Sequence, residues 1–263
     1  MSNPAQTYES YMVPALFAPW AERLVDLAQV APGEAALDVG CGTAIVPRRI
    51  AARTGREAEL VALDRNPLML AVARETAGRE DAAIEFHQGV AEHLPFANAR
   101  FDVVTSQFAL MFFGDRPAAL AEMRRVTKPD GRLAIATWQG IERHPFYATL
   151  DDAIRRRLGT SRVADIFALG DADTLQRLVE QAGYDDVKVT SASITARFPD
   201  PDGFLAGEID VDTAAIPAMQ HLDDAARQSM VDALGDDMAD ALRSVTQGHH
   251  VVIPFHAHLV VAR

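Results

Sequence analysis

The sequence of 263 residues contains little cysteine and no long apolar run. Its single cysteine, Cys41, cannot form an internal disulfide, which is typical of a reducing compartment. No stretch of about 18 apolar residues is present, so a transmembrane helix is not expected. The segment Met1–Glu9 lacks the basic and then apolar pattern of a secretory signal. We therefore predict a cytoplasmic protein that does not insert into a membrane.

Positive charge is also scarce. There are 25 Lys and Arg residues against 37 Asp and Glu residues, and the formal net charge is −12. Most of the excess lies in residues 199–248, where eleven acidic residues stand against two basic ones. An acidic surface repels polyphosphates, so nucleic acid is not expected as a partner. A solvated face that favours solubility is the simplest explanation of this stretch.

From Ala36 onward, short apolar runs alternate with amphipathic ones, which is typical of a parallel sheet covered by helices. We predict an α/β fold with a doubly wound, mostly parallel seven-stranded sheet and helices on both faces. The predicted strands are Ala36–Val39, Leu60–Leu63, Ile84–Gln88, Val103–Ser106, Leu133–Trp138, Val187–Ser191 and Phe255–Val261. The predicted helices are Trp20–Val30, Val46–Arg53, Pro67–Thr76, Arg116–Val126, Phe146–Leu158, Asp173–Ala182 and Asp224–Leu234.

This pattern divides the chain into three parts. Residues 1–35 form an N-terminal helical cap, residues 36–138 the sheet core, and residues 139–263 the remainder of the sheet domain. The last part contains a helical insertion at about 199–248, before the last strand. Five apolar residues of the insertion either line a ligand pocket or form a small core of their own: Phe204, Leu205, Ile216, Met219 and Leu222.

The segment from Leu37 to Ala44 ends the first predicted strand and opens a helix. Gly40 and Gly42 allow the backbone to approach a ligand, and free N–H groups at a helix start favour electron-rich atoms. The dinucleotide fingerprint requires Gly or Ala at its sixth position, where this chain has Ile45. An NAD-dependent oxidoreductase is therefore less favoured, although it stays open as an alternative.

Asp64 ends the second predicted strand, where a carboxylate can accept hydrogen bonds from both hydroxyls of a ribose. The segment Gly89–Phe96 follows the third predicted strand. The segment Phe101–Gln107 contains the fourth predicted strand and its carboxyl end. Because the carboxyl ends of parallel strands meet at one edge of the sheet, we expect these segments to converge on a single crevice.

Five segments in this order carry a family resemblance: LDVGCGT at residues 37–43, ALD at 62–64, AEHLPF at 91–96, FDVV at 101–104 and AEMRRVTKPDG at 121–131. With them, the chain resembles the Rossmann-like, class I S-adenosylmethionine-dependent methyltransferases, in particular the ubiquinone and menaquinone biosynthesis group. The resemblance implies S-adenosylmethionine as the cofactor, a small-molecule acceptor, and an O-, N- or C-nucleophile. A non-catalytic protein that binds S-adenosylmethionine is a further alternative, and the oligomeric state stays open.

The resemblance also implies roles for individual residues. The methionine part of the donor would lie at the glycine loop, the ribose at Asp64 and the adenine on Met69. The residues expected to bind the cofactor are Asp38, Gly40, Gly42, Asp64, Met69, Val90, Ala91, Glu92 and Gln107.

Two positions depart from the resemblance. Many relatives have glycine where Ala44 stands; a methyl group is tolerated there if the residue is right-handed helical. Many have aspartate where Val90 stands, so a side-chain hydrogen bond to the adenine amino group is not expected, although the backbone at Ala91 can still contact the ring.

Methyl transfer from a sulfonium needs mainly alignment and exclusion of water, with a general base only for a nucleophile that keeps its proton. Gln107, His144 and Tyr11 are the candidate catalytic residues, because they fall on segments expected at the acceptor side. His144 has a simpler interpretation as an exposed loop residue. No metal site is expected, because His256, His258 and the other C-terminal histidines lack a recognisable zinc spacing.

Overall fold

The computed structural model describes residues 4–211, 216, 219 and 222–263. The strands are β1 Ala35–Val39, β2 Glu59–Asp64, β3 Glu85–Gln88, β4 Phe101–Gln107, β5 Thr127–Trp138, β6 Lys188–Pro199, β7 Thr246–Gln247 and β8 His250–Ala262. The α-helices are α1 Pro4–Thr7, α2 Ala18–Ala28, α3 Ile45–Thr54, α4 Pro67–Arg79, α5 Arg116–Val126, α6 Pro145–Leu158, α7 Ala172–Gln181, α8 Pro201–Val211, α9 Asp224–Asp237 and α10 Ala239–Val245. A π-helix, Tyr8–Phe17, joins α1 to α2, and short 3₁₀ turns occupy Leu110–Phe112, Ile141–Arg143 and Val163–Phe167.

One mixed sheet runs in the order β3-β2-β1-β4-β5-β8-β6, with β7 paired to β8. Neighbouring strands from β3 to β5 are parallel, whereas β8 is antiparallel to both β5 and β6. The described sheet therefore has eight strands where seven were predicted. The additional strand, β7, contains two residues and closes a hairpin with β8, so it is too short to show in the apolar pattern.

The order of the strands places helices on both faces of the sheet. The connection from β1 through α3 to β2 runs in one direction along the sheet, and the connection from β4 through α5 to β5 runs in the other. Because such connections are right-handed, the two helices cover opposite faces. The direction reverses between β1 and β4, so a crevice is expected where the carboxyl ends of these two strands diverge.

Local sequence explains how two of the site-bearing helices begin. Asn66 caps α4, since its Oδ1 accepts the N–H of Leu68 at 2.9 Å, and Pro67 takes the first helical position. Asp115 caps α5 in the same way by accepting the N–H of Ala118 at 3.0 Å.

Three strands, β5, β6 and β8, are several residues longer than predicted. β5 begins at Thr127 and carries an irregularity, because its pairing with β4 shifts between Phe101 and Val103. β6 continues to Pro199, since it pairs with β8 along its whole length of 12 residues. The polar side chains that face solvent along β6 hide this extension from an analysis of apolar periodicity.

The apolar residues of the insertion belong to the main core. Phe204, Leu205, Ile216 and Met219 are buried in the same cluster as the sheet residues, and Leu222 packs against it. These residues of the insertion therefore do not form a separate small core. Among the described residues, no helix is long and apolar enough to cross a membrane.

Candidate donor-binding site

The turn after β1 is built on two glycines in the left-handed region, Gly40 with φ +73° and Gly42 with φ +55°. A Cβ at Gly40 would overlap the Cβ of Ala109, which follows β4. A Cβ at Gly42 would meet only the ring of Tyr8, at 3.9 Å. The turn thus combines close contact between β1 and β4 on one side with a side that only the Tyr8 ring covers, where the backbone carries no side chain of its own.

Asp64, at the end of β2, is fixed by two backbone N–H groups. Its Oδ2 accepts from Gly42 at 2.8 Å and its Oδ1 accepts from Asn66 at 2.8 Å. Burial raises the pKa of Asp64, and these two hydrogen bonds partly offset that rise. The carboxylate is therefore held at the edge of the glycine turn with lone pairs left for further donors.

Asp38 is only 3% exposed and accepts a hydrogen bond of 2.7 Å from Thr105 Oγ1 on β4. Burial raises the pKa of Asp38 to about 7; the Thr105 hydrogen bond acts in the opposite direction and the nearby Asp64 charge adds to the rise. The group consequently changes charge near neutral pH.

Ala44 does not have the right-handed conformation under which its methyl group was expected to be tolerated. Its φ and ψ are 66° and 34°, in the left-handed region, and the residue is completely buried. An alanine in this region costs roughly 1–2 kcal/mol relative to its preferred conformations. This explains physically why glycine suits the position.

The residues expected to border the adenine lie at the ends of β2 and β3. Met69 is half-buried in the first turn of α4, and Ala91 is buried. Val90 is 46% exposed. Leu68 and Phe112, which were not among the predicted site residues, are 53% and 52% exposed. These three are the exposed large apolar side chains of the described residues, and each follows the carboxyl end of β2, β3 or β4.

Glu92 is tied to the protein rather than aimed at solvent. Its Oε1 accepts the backbone N–H groups of Gly114 at 2.7 Å and Asp115 at 3.2 Å. These bonds join the segment after β3 to the segment before α5. Glu92 therefore fixes the loop after β3 through its carboxylate, whereas it was expected to contact the cofactor.

Gln107 lies at the end of β4 beside the N-terminal helix. Its Nε2 donates to the carbonyl oxygen of Phe17 at 3.1 Å, while its buried Oε1 has no hydrogen-bond partner among the described residues. The buried Oγ1 of Thr43, in the glycine turn, also lacks a described partner. Buried polar atoms normally have partners, so both atoms suit contact with a polar ligand.

His144 does not lie in an exposed loop. It is 1% exposed, its Nδ1 lies 3.1 Å from the carbonyl oxygen of Gly140, and its Nε2 accepts the backbone N–H of His256 at 3.1 Å. Burial lowers the pKa of His144 to about 4. With both ring nitrogens bonded to the backbone, the structure does not support the predicted catalytic role; His144 joins the segment after β5 to β8.

Tyr11 is half-buried on the π-helix. Its hydroxyl donates to the carbonyl oxygen of Pro199 at 3.3 Å, and its ring lies 5.5 Å from that of Phe198. Burial, with the charges of Glu208 and Asp200, raises the pKa of Tyr11. The hydroxyl therefore stays protonated and can act as a hydrogen-bond donor, but not as a base, near neutral pH.

Similar proteins were found both by sequence and by structure. A family profile described as "Methyltransferase domain" matches residues 37–135. The ubiquinone/menaquinone biosynthesis C-methyltransferase UbiE of Ralstonia pickettii is 34% identical over 185 residues, which cover 64% of this chain and 74% of that protein. The chain belongs to the class I S-adenosylmethionine-dependent methyltransferases. It is an enzyme of this family, and its cofactor is S-adenosylmethionine.

Two further comparisons agree with the family. The 2-phytyl-1,4-naphtoquinone methyltransferase of Thermosynechococcus vestitus is 33% identical over 185 residues, covering 64% of this chain and 80% of that protein. The YcgJ protein of Bacillus subtilis has a similar fold, with a TM-score of 0.60, 19% identity, and coverage of 92% of this chain and 96% of that one. The family assignment favours methyl transfer over the NAD-dependent and non-catalytic alternatives.

The residues at the glycine turn fit this methyltransferase's cofactor. Contacts for a polar, cationic nucleoside are offered by the backbone at Gly42, which only Tyr8 covers, by the fixed carboxylate of Asp64, and by the side-chain oxygens of Gln107 and Thr43 that lack a described partner. The exposed apolar side chains at the ends of β2 and β3 offer a surface for a flat base.

Proposed function

We propose that the enzyme transfers the methyl group of S-adenosylmethionine to a ring carbon of a small, apolar aromatic acceptor of the quinol class. The observation that carries this proposal is a row of aromatic rings that begins beside the glycine turn. Tyr8, beside Gly42, stacks on Phe17 with ring centroids 4.9 Å apart, and Phe17 lies 6.4 Å from Trp138. Flat aromatic ligands pack favourably against such rings.

A second aromatic group lies where the insertion leaves the sheet. The ring of Phe198, at the end of β6, lies 5.5 Å from Tyr11 and 5.1 Å from Phe204 on α8. Since β6 is parallel to β5, its carboxyl end falls on the same edge of the sheet as the glycine turn. The rings of Phe198 and Phe204 are fully buried, so they anchor the insertion to the end of β6, and we infer that the insertion acts in acceptor selection through the position that these contacts give it. They do not favour a charged acceptor.

The names of the relatives support the quinol class. Two of them act, by name, in ubiquinone and menaquinone biosynthesis or on a phytyl naphthoquinone. A hydroxyl on such a ring makes the neighbouring carbons nucleophilic, so the acceptor carbon gains the methyl group and then loses its own proton to solvent. No side chain is required as a general base, which agrees with the occupied ring of His144.

When bound, S-adenosylmethionine supplies a methyl group already activated by a sulfonium. In our proposal, Asp64 holds the ribose, the glycine turn with Asp38 and Gln107 holds the methionine part, and Met69, Val90 and Ala91 border the adenine, with Glu92 fixing their loop. Tyr11, whose own proton is donated to Pro199, orients the acceptor by accepting a hydrogen bond from one of its hydroxyl groups. Exclusion of water from the core formed by residues 36–138 falls to the N-terminal cap, residues 1–35, and to the insertion at about 199–248, which contact each other through Tyr11. The cytoplasmic location stays a prediction.

The acceptor class is tested with a panel of reduced naphthoquinols, a catechol and a primary amine, each incubated with enzyme and S-adenosylmethionine. Mass spectrometry should find a gain of 14 Da on a quinol, with fragmentation placing the methyl group on a ring carbon. Phe204→Ala should raise the KM for the quinol, whereas Asp102→Asn, at the opposite edge of the sheet, should not. Methylation of only the catechol or only the amine would contradict the proposal.

A further inference from the structure

The N-terminal segment covers the donor loop through one ring. A Cβ at Gly42 would lie 3.9 Å from both Cε1 and Oη of Tyr8, so this ring lies directly over the turn after β1. Tyr8 stacks on Phe17, whose carbonyl oxygen accepts from Gln107. The segment between them thus spans both the glycine turn and the end of β4, the two positions proposed to hold the methionine part of the donor.

This segment has an unusual backbone. Tyr8–Phe17 forms a π-helix of ten residues with Pro14 inside it. π-Helical hydrogen bonding usually extends over a single turn, and proline removes one donor from it. A long π-helix is therefore poorly stabilised by its own backbone, and contacts with the rest of the protein must hold it in place.

Arg48 supplies such a contact from the donor-loop side. It lies on α3, which starts immediately after the glycine turn, and its side chain is 4% exposed. Its Nη2 is 2.8 Å from Glu9 Oε1, next to Tyr8 in the chain, and its Nη1 is 2.6 Å from Glu80 Oε1 at the end of α4. A buried guanidinium needs such partners, since an unpaired buried charge is strongly unfavourable.

The two carboxylates differ in what they connect. Glu9 is 15% exposed and belongs to the π-helix, whereas Glu80 is 43% exposed and belongs to the sheet core. The pair with Glu9 therefore ties the π-helix to α3, the helix that begins at the donor loop. The pair with Glu80 joins α3 to the end of α4 and does not involve the N-terminal segment.

We propose that Arg48 is a positioning residue that acts through Glu9 to hold Tyr8 over the methionine end of the donor. The inference rests on the donor site proposed above. Three buried residues hold the rest of the π-helix in the core: Met12, Val13 and Leu16. Without the ion pair, the start of the π-helix is released from α3, Tyr8 leaves the glycine turn, and the bound donor loses a contact and its shield from water.

The test compares two variants that each remove one carboxylate from the same guanidinium. Glu9→Gln should weaken the binding of S-adenosylhomocysteine about tenfold by calorimetry. Glu80→Gln, the matched control, should weaken it less than about twofold, because it leaves the N-terminal segment attached. Glu9→Asp, a milder change, should give an intermediate loss if Glu9→Gln fails to fold.

Two further readouts separate positioning from general stability. Binding of S-adenosylhomocysteine should slow hydrogen exchange in residues 8–17 of the wild type and of Glu80→Gln, but not of Glu9→Gln. Glu9→Gln combined with Tyr8→Ala should bind no more weakly than Tyr8→Ala alone, because the first change acts through the second.

Equal effects of Glu9→Gln and Glu80→Gln on binding, or additive effects of Glu9→Gln and Tyr8→Ala, would overturn the inference and leave the donor site intact. A wild-type protein that binds no S-adenosylhomocysteine would overturn the donor site and the inference together, so the two failures are distinguishable.

Discussion

The backbone N–H of Gly42 donates to Asp64 Oδ2 at 2.8 Å and thereby joins the turn after β1 to the end of β2. Asn66 holds the other carboxylate oxygen, so the side chain has one orientation. Each oxygen can still accept a second hydrogen bond. The glycine turn and Asp64 therefore form a single preorganised unit, and a change in one is expected to disturb ligand binding at the other.

Gly40→Ala is expected to destabilise the protein and abolish donor binding. The added Cβ would overlap Ala109 and would also occupy a left-handed conformation. We expect a loss of about 3 kcal/mol in the free energy of unfolding, measured by urea denaturation.

Gly33→Ala is the matched control for that substitution. Gly33 has φ +87°, yet no atom lies within 4 Å of the position of an added Cβ, so only the conformational cost of roughly 1–2 kcal/mol should appear. Gly40→Ala combined with Ala109→Gly should recover part of the loss. Equal losses for the two single variants would show that contact with Ala109 is unimportant.

His144 should make stability depend on pH. Its pKa falls from 6.5 to about 4 on folding, so the unfolded chain binds the additional proton between these values. The contribution is fully present above pH 6.5 and is lost as the pH falls to about 4. Relative to His144→Asn, the wild type should lose about 2–3 kcal/mol of unfolding free energy between pH 7 and pH 4. A difference between the two proteins that does not change with pH would refute this.

Asp38 should make donor binding depend on pH. Its pKa is about 7, so it gains negative charge as the pH rises through neutrality. This charge favours S-adenosylmethionine, which has a sulfonium, over S-adenosylhomocysteine, which does not. The ratio of their dissociation constants, measured by calorimetry, should shift several-fold towards S-adenosylmethionine between pH 6 and pH 8. In Asp38→Asn this shift should disappear, and its persistence there would count against the assignment.

The sequence was most informative where function depends on local pattern. The run from Leu37 to Ala44 predicted a strand, a turn and a helix, because apolar alternation and paired glycines act over a few residues. The position of Asp64 at the end of its strand was likewise predictable from the apolar periodicity. Both predictions agree with β1, α3 and β2 in the structure.

Contacts between distant segments were not predictable in this way. In sequence, His144 lies beside Glu142, Arg143 and Pro145, which is typical of an exposed loop. In the structure it is buried, and its two ring nitrogens contact the carbonyl oxygen of Gly140 and the backbone N–H of His256. The Arg48–Glu9 pair spans 39 residues of sequence, and no local pattern indicates it. The left-handed conformation of Ala44 was hidden for a related reason, since alanine ordinarily favours a right-handed helix.

The central claim is that the glycine turn and Asp64 bind an S-adenosyl nucleoside. Calorimetry should show S-adenosylhomocysteine binding to the wild type, no binding of NAD, and a loss of about tenfold to hundredfold in affinity for Asp64→Ala. Asp102→Asn is the control, because Asp102 also accepts from a backbone N–H, that of Ala35, and from Lys128, but lies at the opposite edge of the sheet. This variant should bind S-adenosylhomocysteine as the wild type does. Tight binding of NAD without S-adenosylhomocysteine, or unchanged affinity in Asp64→Ala, would contradict the account.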